Sequence, residues 1–197
     1  MEAQQQKMLG LDPAIAFGMA RAGLAHRGLP RRLGALQGEI ERHYPLLLAI
    51  DLVNRDAIDR LPPDLADATF AVLEEAAMNV ARHAKASFAR LTVQLNGGVL
   101  LLSIEDDGKG FPFIGIYDLG VLAMLGVGPR RLAQQVEGLH GTMSLISRVI
   151  GTRIDIALPC GETNDLPRLL QSAAAWPSSI SANEGGRAAR LGVNPRA

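Results

Sequence analysis

The sequence predicts an α+β domain, in which a mixed sheet is covered on one face by helices. Apolar residues recur every three or four positions between Ala66 and Ala84, which indicates an amphipathic helix. Residues 91–95 alternate apolar and polar side chains, Asn-Gly-Gly at 96–98 suits a tight turn, and a second apolar run follows at 99–104. Residues 142–146 and 152–158 have the pattern of two more strands. This mixture of elements favours a two-layer α/β sandwich.

The remaining elements are predicted from shorter patterns. Residues 30–43 carry Leu33, Leu36 and Ile40 at helical spacing, and the apolar run 46–53 has the length of a strand. A second amphipathic helix is predicted over 129–139, because Gly128 and a proline precede it and Gly141 follows it. In the last strand the isoleucines are expected to point inward, and Arg153 and Asp155 outward.

The chain of 197 residues is long enough for one domain with a substantial core. We expect a helical lead-in over residues 1–44 and the folded domain over 45–160. Residues 161–197 are rich in Ser, Ala, Gly, Asn and Arg, so they are predicted to be a mostly disordered tail with at most a short helix near 166–175.

Composition narrows the classes of function. Twenty Lys and Arg balance twenty Asp and Glu, so nothing in the overall charge points to nucleic acid or an anionic membrane surface. The single cysteine, Cys160, cannot form an internal disulfide, which suits a reducing compartment. Residues 12–25 are too short and too interrupted to cross a bilayer, and the first residues lack the pattern of a signal peptide. We therefore expect a cytoplasmic protein without a membrane segment.

A row of polar side chains marks the first strong helix. Glu75, Asn79 and His83 are spaced by four residues and so share one helix face, roughly opposite the apolar stripe. Taken alone, such a row is more often a solvated surface than a site.

Two further segments could complete a site with this row. After the predicted hairpin, Asp106 lies at the edge of the sheet, and Gly108 and Gly110 follow it and let backbone approach a ligand. Gly126 and Gly128 lead into the second helix, whose free amides could hold phosphate oxygens. Each segment alone is weak, since Asp and Gly are ordinary turn residues.

Together and in this order, the three segments resemble the nucleotide site of the ATPase superfamily that includes gyrase, histidine kinases and MutL. Within it, LEEAAMNVARHAKAS and LLLSIEDDGKGF look like the nitrate-sensor branch of two-component sensor histidine kinases. The strings EGLHGTMSL and GTRIDIALP are similar to the last strands of that branch, so the likeness covers about residues 61–159. The resemblance implies a Bergerat-type ATP-binding fold that takes ATP and Mg²⁺.

Carried over residue by residue, the resemblance implies a phosphate end of the site. Asn79 would coordinate the magnesium that bridges the phosphates, and Glu75 would be the catalytic group that orients or deprotonates there. Arg82 and His83 match the basic pair of the family and would favour phosphate. The cofactor-binding glycines before the second helix would be Gly126 and Gly128.

The resemblance also implies a base end of the site. Asp106 would accept a hydrogen bond from the adenine amino group, and Thr152 would support the adenine through its hydroxyl. Gly108 and Gly110 would give room to the base and the ribose.

The sequence departs from the family pattern in two places. Between Phe111 and Gly126 the usual polar lid is replaced by PFIGIYDLGVLAML, which is largely apolar and is expected to pack down or to bind a partner. No histidine resembles a phosphoacceptor, which in this branch is followed by an acidic residue, whereas His26 precedes Arg27 and His43 precedes a tyrosine.

The sequence therefore predicts the catalytic domain of a histidine kinase, which transfers the γ-phosphoryl of ATP to a histidine on another polypeptide. The expected partners are a response regulator or an acceptor-histidine protein, with a homodimer through the N-terminal helical region as a further candidate. One alternative is a regulatory ATP-binding module similar to anti-sigma factors, which the apolar lid favours. A second is a nucleotide-free remnant used for dimerisation.

Overall fold

A computed structural model of the protein describes residues 28–160. Helices form at α1 (Leu29–His43), α2 (Arg55–Asp59), α3 (Pro63–Asn79), α4 (Leu119–Leu125) and α5 (Arg130–Gly138). Strands form at β1 (Leu47–Val53), β2 (Phe88–Asn96), β3 (Val99–Asp106), β4 (Gly115–Asp118), β5 (Thr142–Ser147) and β6 (Thr152–Pro159). A single π-helical turn, Val80–Ala84, extends α3.

The strands make one mixed sheet in the order β1-β2-β3-β6-β5-β4. Strand β1 runs parallel to β2, and the other neighbouring strands pair antiparallel. The β2–β3 turn has positive φ at Gly97 (56°) and Gly98 (79°), as the Asn-Gly-Gly sequence predicts. The predicted α+β class with a mixed sheet is confirmed.

The hydrophobic core lies between one face of this sheet and the helices. Alternate strand residues such as Leu91, Leu102 and Ile156 point into it, as the period of two requires. Leu73 of α3 and Leu36 of α1 close the core from the helical layer, and both are at most 2% exposed. Burial of these side chains is the main stabilising contribution to the domain, at about 1.5–3 kcal/mol for each large aliphatic side chain.

The opposite face of the sheet carries paired charges. The Arg90 and Asp51 side chains meet at 3.0 Å across β2 and β1. Asp155 lies on this face, as the alternation predicts, and is only 6% exposed. Burial raises the pKa of Asp155, and the Arg153 guanidinium at 2.8 Å opposes that rise. An aspartate with so close a partner can stay buried without an unpaired charge.

The structure contains several elements that the sequence predicts, with ends shifted by a residue or two. These are the helix of residues 30–43, the strand of 46–53, the hairpin, the helix of 129–139 and the final pair of strands. Residues 1–27 and 161–197, including the helix suggested near 166–175, lie outside the described residues. Within residues 28–160, no helix is long and apolar enough to span a membrane.

Candidate functional site

A cavity of about 450 Å³ opens between α3, the end of β3 and the start of α5. It is lined by side chains from several distant parts of the sequence: Glu75, Ala76, Asn79, Val80, His83, Ala84, Asp106, Lys109, Gly110, Phe111, Pro112, Gly128, Pro129, Arg130, Arg131, Thr152 and Ile154. Polar groups therefore converge on an otherwise apolar concave surface, which is the usual form of a small-molecule site.

Helix α3 contributes the row that the sequence predicts. Pro63 begins the helix, because the fixed φ of proline suits a first turn. The apolar stripe that includes Phe70 and Ala77 is buried, so Glu75, Asn79 and His83 are turned away from the core, and all three line the cavity. The row is thus part of a concave site and not of an open surface.

Asp106 ends β3 at the bottom of the cavity and is 8% exposed. One of its carboxylate oxygens accepts a 2.8 Å hydrogen bond from the backbone N–H of Gly108. Burial raises the pKa of Asp106, whereas hydrogen bonds from the Gly108 and Thr152 backbone oppose the rise. Thr152 lies opposite Asp106 in the β3–β6 register and lines the same end of the cavity. The pair offers an acceptor and a hydroxyl to a ligand.

The adjacent Asp107 has a structural role. Its carboxylate accepts hydrogen bonds from the Ser87 N–H (2.8 Å), the Ser87 hydroxyl (2.6 Å) and the Phe88 N–H (2.9 Å). Its partial burial alone would raise the pKa of Asp107, but these bonds outweigh it and the pKa is lowered. Asp107 does not line the cavity and ties the loop before β2 to the end of β3.

Two glycines after Asp106 have different reasons to be glycine. A Cβ on Gly108 would lie 2.4 Å from the carbonyl oxygen of Ala84, so this glycine lets β3 approach the end of the α3 extension. The Lys109 N–H donates to the same carbonyl at 2.8 Å. Gly110 has φ of +67° and lines the cavity, where its backbone is open to a ligand.

The predicted site residues are largely brought together. Seven of them line the cavity: Glu75, Asn79, His83, Asp106, Gly110, Gly128 and Thr152. Three do not line it: Arg82, Gly108 and Gly126. Gly126 instead accepts hydrogen bonds from the Arg130 guanidinium, with the Nε at 3.1 Å.

Sequence reasoning missed three basic residues that line the cavity: Lys109, Arg130 and Arg131. The Arg131 Nε lies 3.5 Å from a carboxylate oxygen of Glu75 on the facing helix. The available signal was the Arg130-Arg131 pair in the first turn of α5, where the helix dipole disfavours cations. Such a pair directly after a glycine-rich turn is typical of a place that receives an anion.

The cavity has two ends along α3. Ala84 packs beside Gly108 and the end of β3, so the C-terminal part of the helical row lies near Asp106. Glu75 is nine residues earlier, which places it roughly 13 Å away along the axis at the helical rise per residue. The Glu75–Arg131 pair therefore marks the end of the cavity remote from Asp106.

The segment between Phe111 and Gly126 forms a folded wall beside the cavity. Phe113 stacks on Phe111 at 5.3 Å and meets Tyr117 edge-on at 4.9 Å. Strand β4 pairs with β5, and α4 begins at Asp118, whose carboxylate accepts the Val121 N–H at 2.8 Å. The apolar segment thus packs down in part, which is one of the two outcomes expected from its sequence. Some apolar side chains stay exposed: Ile114, Ile116, Met124 and Leu125.

Within residues 28–160, no group of three or more His, Cys, Asp or Glu residues is arranged to hold a metal ion by itself. Glu75 and Asn79 share one face of α3 inside the cavity and offer oxygen atoms. That donor set fits Mg²⁺, which prefers oxygen, keeps several waters and is commonly held jointly by one or two side chains and by substrate phosphates.

Over part of their length, several sensor histidine kinases are similar in sequence to this chain. It is 27% identical over 138 residues to the sensor histidine kinase YxjM of Bacillus subtilis, which covers 67% of this chain and 31% of that protein. It is also 27% identical over 148 residues to the sensor histidine kinase LiaS of Bacillus subtilis, covering 74% of this chain and 38% of that protein. The chain thus spans about a third of the length of these relatives. No protein-family model matches it.

The fold has solved counterparts. The blue-light activated histidine kinase of Erythrobacter litoralis EL346 superposes with a TM-score of 0.53 at 22% sequence identity, covering 68% of this chain and 42% of the other. This likeness extends to the fold alone. The narrower resemblance to the nitrate-sensor branch stays a prediction.

Proposed function

We propose that this chain, which carries a histidine kinase-like ATPase domain, binds ATP and is the catalytic domain of a two-component sensor histidine kinase. One observation carries the proposal: Glu75 and Asn79 of α3 and His83 of its π-helical extension line a single cavity with Asp106 and Thr152 of the sheet. These residues lie far apart in sequence, and their meeting in one cavity supports the proposal.

At the inner end of the cavity, the residues suit the base of a nucleotide. The Asp106 carboxylate is buried and keeps acceptor capacity beyond its hydrogen bond to Gly108, so it can accept from an exocyclic amino group. Thr152 adds a hydroxyl beside it, and the apolar Ile154 offers a surface for a planar ring. A buried carboxylate gains from each further hydrogen bond, so Asp106 favours a ligand that donates to its remaining acceptor positions.

At the outer end, the residues suit a polyphosphate. Arg131 lies at this end beside Glu75, and His83 and Lys109 line the same cavity, so three groups that donate hydrogen bonds to anions face a ligand there. Mg²⁺, when bound, would neutralise phosphate charge, and Asn79 with Glu75 would hold it. Fixed positions of donors and metal ligands are the main source of catalysis in phosphoryl transfer.

The acceptor histidine is proposed to lie on another polypeptide. His43, the last residue of α1, is held by its own helix: its Nδ1 lies 2.9 Å from the Glu39 carbonyl oxygen. Neither His43 nor His26 has the acidic residue that follows the acceptor in the resembled branch. His83 lines the cavity, so it is proposed to contact the nucleotide and not to accept the phosphoryl group. An acceptor-histidine protein or a response regulator is therefore the proposed partner.

A magnesium titration of Asn79→Ala tests the site. If Asn79 is a metal ligand, the variant should lose most of the increase in ATP affinity that Mg²⁺ produces, while its affinity measured without metal changes little. Isothermal calorimetry with and without Mg²⁺ gives both values. Gln134→Ala is the control, because it removes an exposed amide that does not line the cavity. A full magnesium effect in Asn79→Ala would rule out the ligand role.

A second candidate is a regulatory ATP-binding module that controls a protein partner. The observation that favours it is the wall beside the cavity, where Ile116 is 74% and Met124 is 79% exposed. Exposed apolar side chains in a segment whose first residues, Phe111 and Pro112, line the cavity suit a surface whose binding to a partner responds to nucleotide. ATP binding without phosphoryl transfer to any histidine partner would favour this module over the kinase.

A further inference from the structure

Glu75 and Arg131, which both line the cavity, form an ion pair that can be exchanged for another partner. The Arg131 Nε and the Glu75 carboxylate are 3.5 Å apart, which is too long for a firm hydrogen bond. The Arg131 side chain is 77% exposed, whereas that of Glu75 is 18% exposed. A pair this exposed is weak, so Arg131 can leave Glu75 at little cost when a stronger anion arrives.

The neighbouring Arg130 provides a contrast in the same helical turn. Its guanidinium donates to the Gly126 carbonyl, which fixes it on the end of α4. Within residues 28–160, the Arg131 side chain makes no comparable hydrogen bond to the main chain and contacts Glu75 instead. Of the two arginines in the first turn of α5, Arg131 is therefore the one that can move.

The position of Arg131 along the cavity determines which part of a ligand it would meet. Glu75 lies roughly 13 Å along the helix axis from Ala84, and Ala84 packs beside Gly108 at the end of β3. Asp106 and Glu75 therefore lie toward opposite ends of the cavity. A nucleotide whose base sits at Asp106 directs its phosphates toward Glu75. The phosphate farthest from the base then approaches the Arg131 guanidinium.

We infer that Arg131 recognises the terminal phosphate of the nucleotide, leaving Glu75 as it does so, and thereby makes the site select triphosphate over diphosphate. This inference rests on the proposed ATP-binding function. The guanidinium can donate two parallel hydrogen bonds to phosphate oxygens. When the Arg131 side chain moves to the terminal phosphate, Glu75 loses its neighbouring cation. Arg131 is accordingly a ligand-binding residue, and Glu75 loses its cation only when a triphosphate is bound.

The test measures the affinities of ATP, ADP and adenosine for the wild type and for Arg131→Ala by calorimetry at constant Mg²⁺. ATP affinity should fall on the order of tenfold, ADP affinity should fall less, and adenosine affinity should not change. Arg131→Lys, which keeps the charge but loses the fork, should fall between the wild type and Arg131→Ala for ATP. Arg60→Ala removes the same charge outside the cavity lining and should leave all three affinities unchanged.

Glu75→Gln provides an independent arm. This arm is measured without Mg²⁺, because Glu75 is also a proposed metal ligand. Without the competing carboxylate, Arg131 is free for phosphate, so metal-free ATP should bind more tightly to Glu75→Gln than to the wild type. This gain should disappear when Arg131→Ala is added. An ATP affinity unchanged by Arg131→Ala, or an equal loss for all three ligands, would overturn the inference. A wild-type chain that binds adenosine and nucleotides not at all would instead overturn the proposed function itself.

Discussion

Two adjacent aspartates illustrate how one residue of sequence separates a ligand contact from a structural one. Asp106 lines the cavity and accepts hydrogen bonds from the backbone of Gly108 and Thr152, whereas Asp107 does not line it and accepts three hydrogen bonds from Ser87 and Phe88. The alternation of side chains at the end of β3 produces this division. The same substitution at both positions should therefore have opposite consequences.

Asp106→Asn should weaken ATP binding on the order of tenfold or more without destabilising the empty domain. Because burial raises the pKa of Asp106 above 3.8, the protonated carboxyl favours folding, and that contribution is lost as pH rises through the folded-state pKa. Above the folded-state pKa the buried carboxylate charge opposes folding, so a neutral amide should keep or raise the melting temperature. Calorimetric titration and thermal unfolding at pH 7 measure the two effects, and a clear loss of stability would contradict the assignment.

Asp107→Asn should do the reverse. The lowered pKa of Asp107 means that its ionised form stabilises the domain above pH 3.8 and that this contribution is lost as pH falls through the folded-state pKa. The substitution should cost about 1 kcal/mol of unfolding free energy at pH 7, since solvent reduces the strength of these bonds. ATP affinity should stay near the wild-type value. Urea unfolding measures the first quantity, and a larger effect on binding than on folding would show that the two aspartates have been confused.

At the scale of elements, the site depends on how closely β3 approaches the end of the α3 extension. The limiting contact is between Gly108 and the Ala84 carbonyl, where a Cβ would lie 2.4 Å from the oxygen. The backbone of both elements is fixed by the sheet and by the helix, so neither can yield easily. This packing sets the distance between Asp106 and the helical row.

Gly108→Ala should therefore destabilise the domain by about 1–3 kcal/mol, the usual cost of an overpacked contact. Gly34→Ala is the matched control, because Gly34 lies inside α1 and has no atom within 4 Å of its would-be Cβ. There the same change should stabilise by about 0.5–1 kcal/mol through helix propensity. Denaturant unfolding of both variants decides the matter, and similar stability changes at the two sites would show that Gly108 is not closely packed.

Elements with strong periodicity could be predicted from sequence, whereas the wall beside the cavity could not. Helix α3 and the β2–β3 hairpin follow directly from spacing and turn residues. Strand β4 and helix α4 have four and seven residues, too few for a period to appear, and they form through contacts such as Phe113 on Tyr117. The burial of Asp155 could not be predicted, because it depends on a partner, Arg153, and not on alternation.

For the whole molecule, the motifs predicted which segments meet at the cavity, but not which basic residues line it. Glu75, Asn79 and Asp106 could be assigned to one site because each lies in a recognisable string. Arg131 could not, because its role depends on the placement of α5 across from α3. The division of the chain at residues 44 and 160 stays a prediction.

The purified chain should not phosphorylate itself efficiently. Phosphoryl transfer needs an imidazole held in line with the γ-phosphate, and His43 is instead held against Glu39 on its own helix. Incubation with radiolabelled ATP and Mg²⁺, followed by an assay for acid-labile phosphate, should give little label. Rapid stoichiometric labelling, traced by His26→Gln and His43→Gln variants, would show that the acceptor belongs to this chain.

The most direct measurement is the binding of a fluorescent ATP analogue to the full chain with and without Mg²⁺. An ATP site in the cavity between α3 and β3 predicts saturable binding that ATP displaces, that Mg²⁺ strengthens, and that Asp106→Asn reduces on the order of tenfold. No displaceable binding up to about 1 mM, the upper end of the usual range for enzyme substrates, would contradict it. Binding that is unaffected by Asp106→Asn would place the nucleotide elsewhere on the molecule.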